Sequence, residues 1–575
     1  MSLLQVRHRI DVAAGRKPAD LLIKNGRVVS VLADEIIETD IAVADGVIVG
    51  FGDYRARKTI DAAGGYVSSG LVDSHLHIES TLLTPSEFAR AVVPRGTTAI
   101  IADPHEIANV MGAAGIRWMI KASRGLPLDI YIVLPSCVPA SRFESAAGKL
   151  ASRDLKKLLR LPNVIGIGEV MNFPGVIAGS GELLKKIRLM PGMRVDGHAP
   201  GVTGKNLNAY IAAGIHSDHE STCACEAREK LIKGLHLMLR EGTTEKNLLE
   251  LAKIVTPSNS HRCFFCSDDR SAHDLIHKGH MDDILRIAVK CGIPSITALQ
   301  MATNNAPYYF RLKRRIGAVA VGYAADLVIF DDLKNFYARM VFKEGKLVAK
   351  NGKLTVACKS SHAPKTSNSV RVKKISPASF RIKAVSQKAV AIEIVKNQII
   401  TESTEVNVKC EDGLAVADVK KDVLKIAVIE RHHRTGRIGL GFVKGFGLKG
   451  GAIASTVCHD AHNLIIVGAN DEDMLVAANA LKKCGGGFVA VNRGKILGML
   501  PLPVAGLMSP HNAERVAHEY EVLNKKIAKL GPAIDDPFLT LSFLALSVVP
   551  KLRIEDRGLL DVTLGKFISL SPVPQ

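Results

Sequence analysis

The segment from residue 66 to residue 315 alternates short apolar β runs with helical stretches. Strands that alternate with helices indicate βα units, and eight such units favour a (β/α)8 barrel. The pattern is weakest in the seventh predicted strand. In chain order, the predicted strands are Tyr66–Ser74, Thr97–Ala102, Ile130–Ser136, Val164–Val170, Arg194–Gly197, Ile215–Ser217, His236–Leu239 and Arg262–Ser267.

Different patterns flank this barrel region. Residues 20–65 contain short strand-like runs separated by Asn-Gly and Asp-Gly, which are typical turn dipeptides, and residues 316–355 repeat that style. We therefore predict an α/β protein in which a small β domain, formed by residues 1–65 and 316–360, accompanies a barrel of residues 66–315. The alternating runs and glycine-rich turns of residues 375–575 predict a separate C-terminal α+β domain.

The charge balance is strongly basic, with 76 Lys and Arg against 56 Asp and Glu and a net charge of +20. Between Val341 and Phe380, eight Lys and one Arg accompany a single acid, Glu344. Residues 350–374 are also rich in Ser, Thr and Asn, which predicts an exposed connector. Aromatic residues make up only 5% of the chain and no nucleic-acid-binding motif is present, which disfavours a nucleic-acid partner.

The redox compartment and the location follow from simple features of the chain. The N-terminus lacks the apolar core of a signal peptide, and no apolar stretch reaches the roughly 18 residues of a membrane span. Ten cysteines in a long chain without a secretion signal indicate reduced thiols. We therefore expect a cytoplasmic protein.

Two histidines, His75 and His77, stand at the end of the first predicted barrel strand. Residues i and i+2 of a strand point to the same face, so both imidazoles can meet one divalent cation. Further candidate ligands end or follow later strands, and these are Glu169, His198, His219 and Asp268. All of them fall where a barrel strand meets its following loop, which is the catalytic face of such barrels.

This donor set predicts a binuclear metallohydrolase. Four imidazoles and two carboxylates suit Zn, Fe or Mn. A carboxylate such as Glu169 can bridge two cations, and a hydroxide held by both is a strong nucleophile near neutral pH. Asp268 would move protons as the general acid–base group. Its neighbour Asp269 is the alternative for that role, unless it pairs with Arg270.

The ligand pattern resembles the amidohydrolase superfamily over residues 20–355. The residues that carry this resemblance are His75-Leu-His77, Glu169, His198, His219 and Asp268. Many members of the superfamily bridge their metals with a carbamylated Lys after strand four. No Lys lies between Leu161 and Leu184, and Glu169 occupies the expected place. This departure argues against the dihydropyrimidinase-like members.

Longer segments resemble the bacterial adenine deaminase family over nearly the whole chain. The segments are VDSHLHIESTLLTP, ADPHEIANVMG, GEVMNFPGV, DGHAPG, SDHES and FCSDDRSAHDL, with ERHHRTGRIGLGFVKGFGLKGGAIASTVCHDAHNLIIVG and LPLPVAGLMS in the tail. The resemblance implies hydrolysis of adenine to hypoxanthine and ammonia, in purine salvage, at two divalent metal ions. Mn²⁺ or Fe²⁺ is expected, with Zn²⁺ as the alternative. The expected partners are a small-molecule purine and further copies of the chain in a homo-oligomer, with no membrane partner.

Other polar residues have two interpretations each. His105 and Glu106 end predicted strand two on the catalytic face, so they are either substrate-binding residues or ordinary loop residues. Two polar clusters of the C-terminal region are either part of a purine or metal site or ordinary loop histidines, and they comprise His432, His433, His459, Asp460 and His462.

Competing functions remain open at this point. His77-Ile-Glu79 matches the H-x-E of zinc nucleobase deaminases, but the Cys263-Phe-Phe-Cys266 segment follows Arg262 rather than the Pro of their second motif. These two cysteines are therefore expected in the core. Another cyclic amidine or amide hydrolase of the same superfamily is the main alternative. A basic nucleic-acid-binding protein with a vestigial barrel is disfavoured by the intact ligand set.

Overall fold

A computed structural model describes residues 2–312, 314–359, 369–396 and 398–571. The chain begins with a helix and seven short strands that precede the barrel. These elements are α1 (Leu3–Ala13), β1 (Leu21–Lys24), β2 (Arg27–Ser30), β3 (Glu35–Glu38), β4 (Ile41–Ala44), β5 (Val47–Phe51), β6 (Thr59–Asp61) and β7 (Tyr66–Ser69).

The barrel region follows as alternating strands and helices. Its strands are β8 (Leu71–Leu76), β9 (Thr97–Ala102), β10 (Asp129–Leu134), β11 (Val164–Val170), β12 (Arg194–Gly197), β13 (Ser217–Asp218), β14 (His236–Arg240) and β15 (Cys263–Cys266). Its helices are α2 (Pro85–Val92), α3 (His105–Met111), α4 (Ala113–Ala122), α5 (Ser152–Leu158), α6 (Phe173–Ile177), α7 (Gly181–Ile187), α8 (Gly204–Ala212), α9 (Ala224–Ile232), α10 (Leu248–Leu251), α11 (Ala272–His277), α12 (Met281–Lys290), α13 (Ser295–Thr303) and α14 (Asn305–Tyr309).

The barrel strands close into a ring. Strands β8 to β12 form one parallel sheet and β13 to β15 form another. The sheets meet where Leu76 pairs with Asp268 in a parallel bridge, and again where the His216 amide donates to the Val195 carbonyl over 3.0 Å. The (β/α)8 barrel expected from the sequence is thereby confirmed, including its weakly patterned seventh strand.

Apolar side chains fill the inside of the barrel. Val72, Ile101, Tyr131, Met238 and Phe264 are buried there in one cluster, together with aromatic residues of α14 and the loop after it. Such a barrel is a packed core and not a pore, so polar chemistry is confined to the carboxyl ends of the strands.

Strands from both flanks of the barrel combine in one mixed sheet. After the barrel come β16 (Leu327–Phe330), β17 (Ala338–Lys343), β18 (Lys346–Lys350) and β19 (Lys353–Leu354), and the sheet order is β19-β18-β17-β16-β7-β2-β3. A second sheet, β5-β4-β1-β6, packs on it. Asp45 and Gly46 connect β4 to β5 with φ of 49° and 72°, the positive values that a tight hairpin turn of this kind requires.

The first predicted barrel strand, Tyr66–Ser74, is divided in the structure. Its first half, β7, belongs to the flanking sheet, where it pairs with β16, and the barrel strand β8 begins only at Leu71. The division falls at Gly70, where a Cβ atom would collide with the side chain of Thr98. Glycine therefore lets the chain pass from one sheet to the other at this crowded point.

The C-terminal region is built on an eight-stranded sheet with the order β22-β21-β26-β25-β28-β27-β29-β30. Its strands are β20 (Ile382–Lys383), β21 (Lys388–Ile394), β22 (Thr401–Asn407), β23 (Lys409–Glu411), β24 (Leu414–Val416), β25 (Val423–Ile429), β26 (Ile438–Lys444), β27 (Ala452–Ser455), β28 (Leu464–Gly468), β29 (Gly487–Asn492), β30 (Lys495–Pro501), β31 (Leu552–Glu555), β32 (Gly558–Asp561) and β33 (Lys566–Ile568). Its helices are α15 (Asp471–Cys484), α16 (Ala513–Ala528) and α17 (Pro537–Phe543).

The two faces of this sheet pack against different partners. Helix α15 covers one face, where Met474 and Leu481 join a separate apolar cluster. The other face shares the large core cluster of the barrel, which also includes Val516 of α16 and Phe538 of α17. The sheet is therefore attached to the barrel through apolar packing. This attachment brings C-terminal loops to the catalytic face.

The predicted connector of residues 350–374 is only partly exposed. Residues 360–368 lie outside the described residues. On either side of them, Cys358, Val370 and Val372 are buried, so the expectation of a fully solvated segment is wrong at these positions. The last two side chains pack into the cluster beneath α15 because they alternate with the exposed Arg371 and Lys373. Among the described residues, no helix is long and apolar enough to cross a membrane.

Candidate metal centre and substrate pocket

His75 and His77 lie at the end of β8, and both side chains are buried. The Nδ1 atom of His77 lies 2.9 Å from the carbonyl oxygen of Asp103, so it carries the proton and donates to that oxygen. Its Nε2 faces Oε1 of Glu169 and Oδ1 of Asp268, each at 3.2 Å. A ring fixed in this tautomer by a backbone carbonyl is typical of metal-ligating histidines.

Glu169, at the end of β11, is the centre of the cluster. Its Oε1 lies 3.2 Å from Nε2 of His77 and 3.2 Å from Nδ1 of His105. Its Oε2 lies 2.7 Å from Nδ1 of His198 and 3.4 Å from Nε2 of His219. Burial alone would raise the pKa of Glu169, but the imidazoles of His105 and His198 beside it hold that pKa well below its usual range. One ionised carboxylate thus stands between two groups of histidines.

Asp268 follows β15 with a φ of 52°, a left-handed conformation that Asp adopts more readily than most residues. Its Oδ1 lies 3.2 Å from Nε2 of His77, and its Oδ2 accepts a hydrogen bond of 2.8 Å from Arg240. Burial would raise the pKa of Asp268, but His77 and Arg240 hold it well below its usual range. The carboxylate is therefore ionised and fixed in orientation.

The side chains predicted from the sequence come together in overlapping groups of possible metal ligands. In each group one donor atom of every residue lies within 4.8 Å of the others, and the groups include His75–His77–Glu169, His75–His219–Asp268, Glu169–His198–His219 and His77–Asp268–Asp269. Neither ring nitrogen of His75 has a hydrogen-bond partner among the described residues, although the side chain is fully buried. Unpaired buried polar atoms are costly unless a cation binds them, so the residues fit divalent metals.

A cavity lies beside this cluster and is lined from two parts of the chain. The barrel contributes polar residues, among them His105, Glu106, Glu245 and Asp269. The C-terminal region contributes Ile399, His459, Asp460, Phe543, Leu546, Val548 and Val549. The sequence left open whether the C-terminal region takes part in the site, and the structure places it in the pocket wall.

His105 and Glu106 begin helix α3 and line this pocket. His105 contacts Glu169, and Glu106 is held from the other side by His459, whose Nδ1 lies 2.8 Å from its Oε1. His462 bonds to the second carboxylate oxygen of Glu106. The substrate-binding role predicted for this pair is consistent with their position and remains a prediction.

Two other C-terminal histidines lie outside the pocket lining. His432 contacts the carbonyl oxygen of Ala461 at 2.7 Å, and His433 contacts that of Ala146 at 3.1 Å. Both satisfy backbone groups, as the alternative interpretation of ordinary loop histidines expected. Cys263 and Cys266 are buried in β15 within apolar clusters, in agreement with the expectation of core residues.

Asp269 has a different partner from the one that the sequence offered. It accepts a hydrogen bond from Ser80, whereas Arg270 pairs with Asp283. The alternative Asp269–Arg270 pair is therefore wrong, because the two side chains leave the chain in different directions. Asp269 remains beside the cluster and lines the pocket.

Three charged residues that were not predicted from the sequence support the ligands. Arg240 binds both Asp268 and Glu220, and Asp103 accepts a hydrogen bond of 3.0 Å from the Glu169 amide. Arg240 ends β14, HLMLR, directly after three apolar residues. A lone charge at the carboxyl end of a barrel strand was the signal that could have identified it.

A (β/α)8 barrel with histidines and carboxylates gathered at the carboxyl ends of its strands is the architecture of the amidohydrolases. The amidohydrolase family model matches residues 66–348, and the model of the adenine deaminase C-terminal domain matches residues 398–566. This chain belongs to the adenine deaminase family. Its family and its clustered donors together indicate an enzyme that uses divalent metal.

The similarity to relatives named adenine deaminase extends over nearly the full length. Adenine deaminase 2 of Carboxydothermus hydrogenoformans is 47% identical over 567 residues, which cover 98% of this chain and 99% of the relative. An adenine deaminase of Dehalococcoides mccartyi is 46% identical and covers 97% of this chain and 98% of its own length. The adenine deaminase of Desulfatibacillum aliphaticivorans is 44% identical, and the match covers 98% of this chain and 99% of that relative.

Proposed function

We propose that this protein hydrolyses adenine to hypoxanthine and ammonia at a centre of two divalent metal ions. The full-length similarity to proteins named adenine deaminase supports the substrate. The observation that carries the chemistry is Glu169, an ionised buried carboxylate with one oxygen toward His77 and the other toward His198 and His219. A carboxylate in that position can be shared by two cations.

The ligand assignment follows from the groups around Glu169. His75, His77 and Asp268 would hold one ion, His198 and His219 would hold the other, and Glu169 would contact both. Mn²⁺ or Fe²⁺ is the proposed metal, with Zn²⁺ as the alternative, because imidazole and carboxylate donors accept all three. Two such ions, when bound, supply Lewis acidity and a water molecule activated near neutral pH.

Asp268 is the proposed proton carrier. Deamination needs one proton removed from the attacking water and one delivered to the amino group, which must leave as ammonia. Arg240 donates to Oδ2 of Asp268 and keeps the carboxylate ionised, so Oδ1, which faces His77, would be the oxygen that takes the proton and passes it on. Asp269 lines the same pocket and is the other candidate for this step.

The proposed substrate-binding residues line the part of the cavity that the proposed metal ligands do not. His105 and Glu106 present polar groups beside Glu169, and Phe543, Leu546 and Val548 form an apolar wall. A planar base suits a cavity with apolar walls and a few fixed polar groups.

Ammonia release from the metal-loaded enzyme tests the proposal. Adenine should be turned over far faster than cyclic amides such as dihydropyrimidines, and hypoxanthine should appear in equal amount to the ammonia. Faster hydrolysis of a cyclic amide, with no ammonia from adenine, would instead favour another hydrolase of the same superfamily.

A further inference from the structure

The wall that the C-terminal region contributes to the pocket is mainly apolar. Apart from two polar residues, it consists of Ile399, Phe543, Leu546, Val548 and Val549. Of the two polar residues, His459 is committed to Glu106 at 2.8 Å and stacks on the ring of Phe543. Asp460 is therefore the polar group of this wall that remains available to a ligand.

Asp460 has an unsatisfied oxygen. Its residue is 4% exposed, and its Oδ1 lies 3.8 Å from Nδ1 of His459, beyond hydrogen-bond distance. Its Oδ2 has no hydrogen-bond partner among the described residues. Buried carboxylate oxygens nearly always have a donor, since leaving one unpaired costs about 1–3 kcal/mol or more. A donor that arrives with the substrate would remove this cost.

We propose that Asp460 accepts a hydrogen bond from the imidazole N–H of the bound base, so that the C-terminal domain selects free adenine over its nucleosides. This inference rests on the proposed function. The amino-bearing carbon of adenine must face the metal cluster, so the N–H of the imidazole ring points away from that carbon, where Asp460 would meet it. A free base carries an N–H there, whereas a nucleoside carries a sugar on that nitrogen.

Charge and space both favour this assignment. Burial raises the pKa of Asp460 to about 6, which leaves the carboxylate ionised and acceptor-only at pH 8. Apart from His459, which is bound to Glu106, the rest of the C-terminal wall is apolar, so a ligand without this N–H would leave the carboxylate without a donor from that wall. A site built to bond an N–H rejects analogues that lack it more strongly than an apolar wall does.

The test compares adenine with 9-methyladenine, which keeps the reacting end and replaces the imidazole N–H by a small methyl group. We expect the parent enzyme at pH 8 to show kcat/KM for adenine at least about tenfold above that for 9-methyladenine. In Asp460→Asn and Asp460→Ala, kcat/KM for adenine should fall by about tenfold or more, mainly through KM. The preference for adenine over 9-methyladenine should therefore be smaller in both variants. Asp460→Ala should also gain activity on 9-methyladenine, and misfolding cannot produce such a gain.

Two further variants sharpen the comparison. Glu555→Gln is the matched control, because Glu555 is also a buried C-terminal carboxylate with an unpaired oxygen, yet it does not line the pocket. It should keep the preference of the parent. Glu245→Gln tests the competing acceptor, since Glu245 lines the pocket from the barrel side and also has an unpaired oxygen.

Each outcome supports or overturns the role of Asp460 in selecting the free base. Equal kcat/KM for the two bases in the parent would overturn the inference, whatever the variants do. Loss of preference in Glu245→Gln but not in the Asp460 variants would overturn it in favour of Glu245. A parent that deaminates adenine with the same preference in all variants would overturn this inference and leave the proposed function standing. A parent without activity on either base would overturn both.

Discussion

Nδ1 of His459, in the C-terminal region, lies 2.8 Å from Oε1 of Glu106 on the catalytic face of the barrel. His462 bonds to the other oxygen of the same carboxylate. The Cys458 amide donates to Nδ1 of His462 over 3.1 Å, so the proton of this ring must be on Nε2, which donates to Glu106. Two imidazoles thus fix a buried carboxylate that lines the pocket. The catalytic face of the barrel is completed only when the C-terminal domain is attached.

We expect His462→Ala to lower both stability and turnover. Glu106 would lose a buried donor, and bonds to charged groups contribute about 1.5–3 kcal/mol. Equilibrium unfolding in urea measures the first effect and ammonia release the second. His433→Ala is the control, because His433 also reaches a barrel residue, Ala146, but from an exposed position, where about 0.5 kcal/mol or less is expected. Equal losses in the two variants would show that the Glu106 contact has no special role.

Glu169→Gln should weaken metal binding more than it weakens the fold. The amide keeps the shape of the side chain but loses the negative charge that two cations would share. Metal content per chain should fall by at least one ion, and turnover should fall with it, while the melting temperature of the metal-free protein changes little. Unchanged metal content and turnover would exclude Glu169 as the shared ligand.

His219→Asn and His216→Asn form a matched pair on the two sides of the short strand β13. His219 stacks on His75 at 4.2 Å and faces Glu169, whereas His216 accepts a hydrogen bond from the Val195 amide and belongs to none of the named donor groups. We expect His219→Asn to reduce turnover by at least about a hundredfold, as for loss of a catalytic group. His216→Asn should stay within a few-fold of the parent. Similar kinetics for both would contradict the ligand assignment at β13.

Asp268→Asn should abolish turnover and leave much of the affinity for a purine. General acid–base catalysis contributes about a hundred- to ten-thousand-fold, and an amide cannot carry the proton. Ammonia release gives the turnover, and calorimetry with hypoxanthine gives the binding. Asp269→Asn is the comparison variant, since Asp269 is held by Ser80 beside the same pocket. If Asp269→Asn is the inactive variant and Asp268→Asn is not, the proton carrier is Asp269.

The local parts of this structure could be predicted from the sequence, because strand and helix periodicity is local. Residues at the ends of consecutive parallel strands necessarily meet at one face of the barrel, so His75, Glu169 and Asp268 could be grouped before any distances were known. The boundary between β7 and β8 could not be predicted from the sequence, because the crowding of Gly70 against Thr98 arises only when two sheets meet.

The C-terminal contribution to the pocket was beyond local reasoning. His459, Asp460 and Phe543 approach Glu106 and Glu169 only through the packing of a whole sheet on the barrel. No periodicity encodes such a contact between distant segments. The burial of Val370 and Val372 in a basic, polar stretch was missed for the same reason.

Metal titration of adenine deamination tests the central claim most directly. Protein stripped with a chelator should release no ammonia from adenine, and activity should return in proportion to added Mn²⁺ or Fe²⁺. We predict that the recovery saturates near two ions per chain, because one oxygen of Glu169 faces His77 and the other faces His198 and His219. Stripped protein that deaminates adenine as fast as the metal-loaded form would contradict the account.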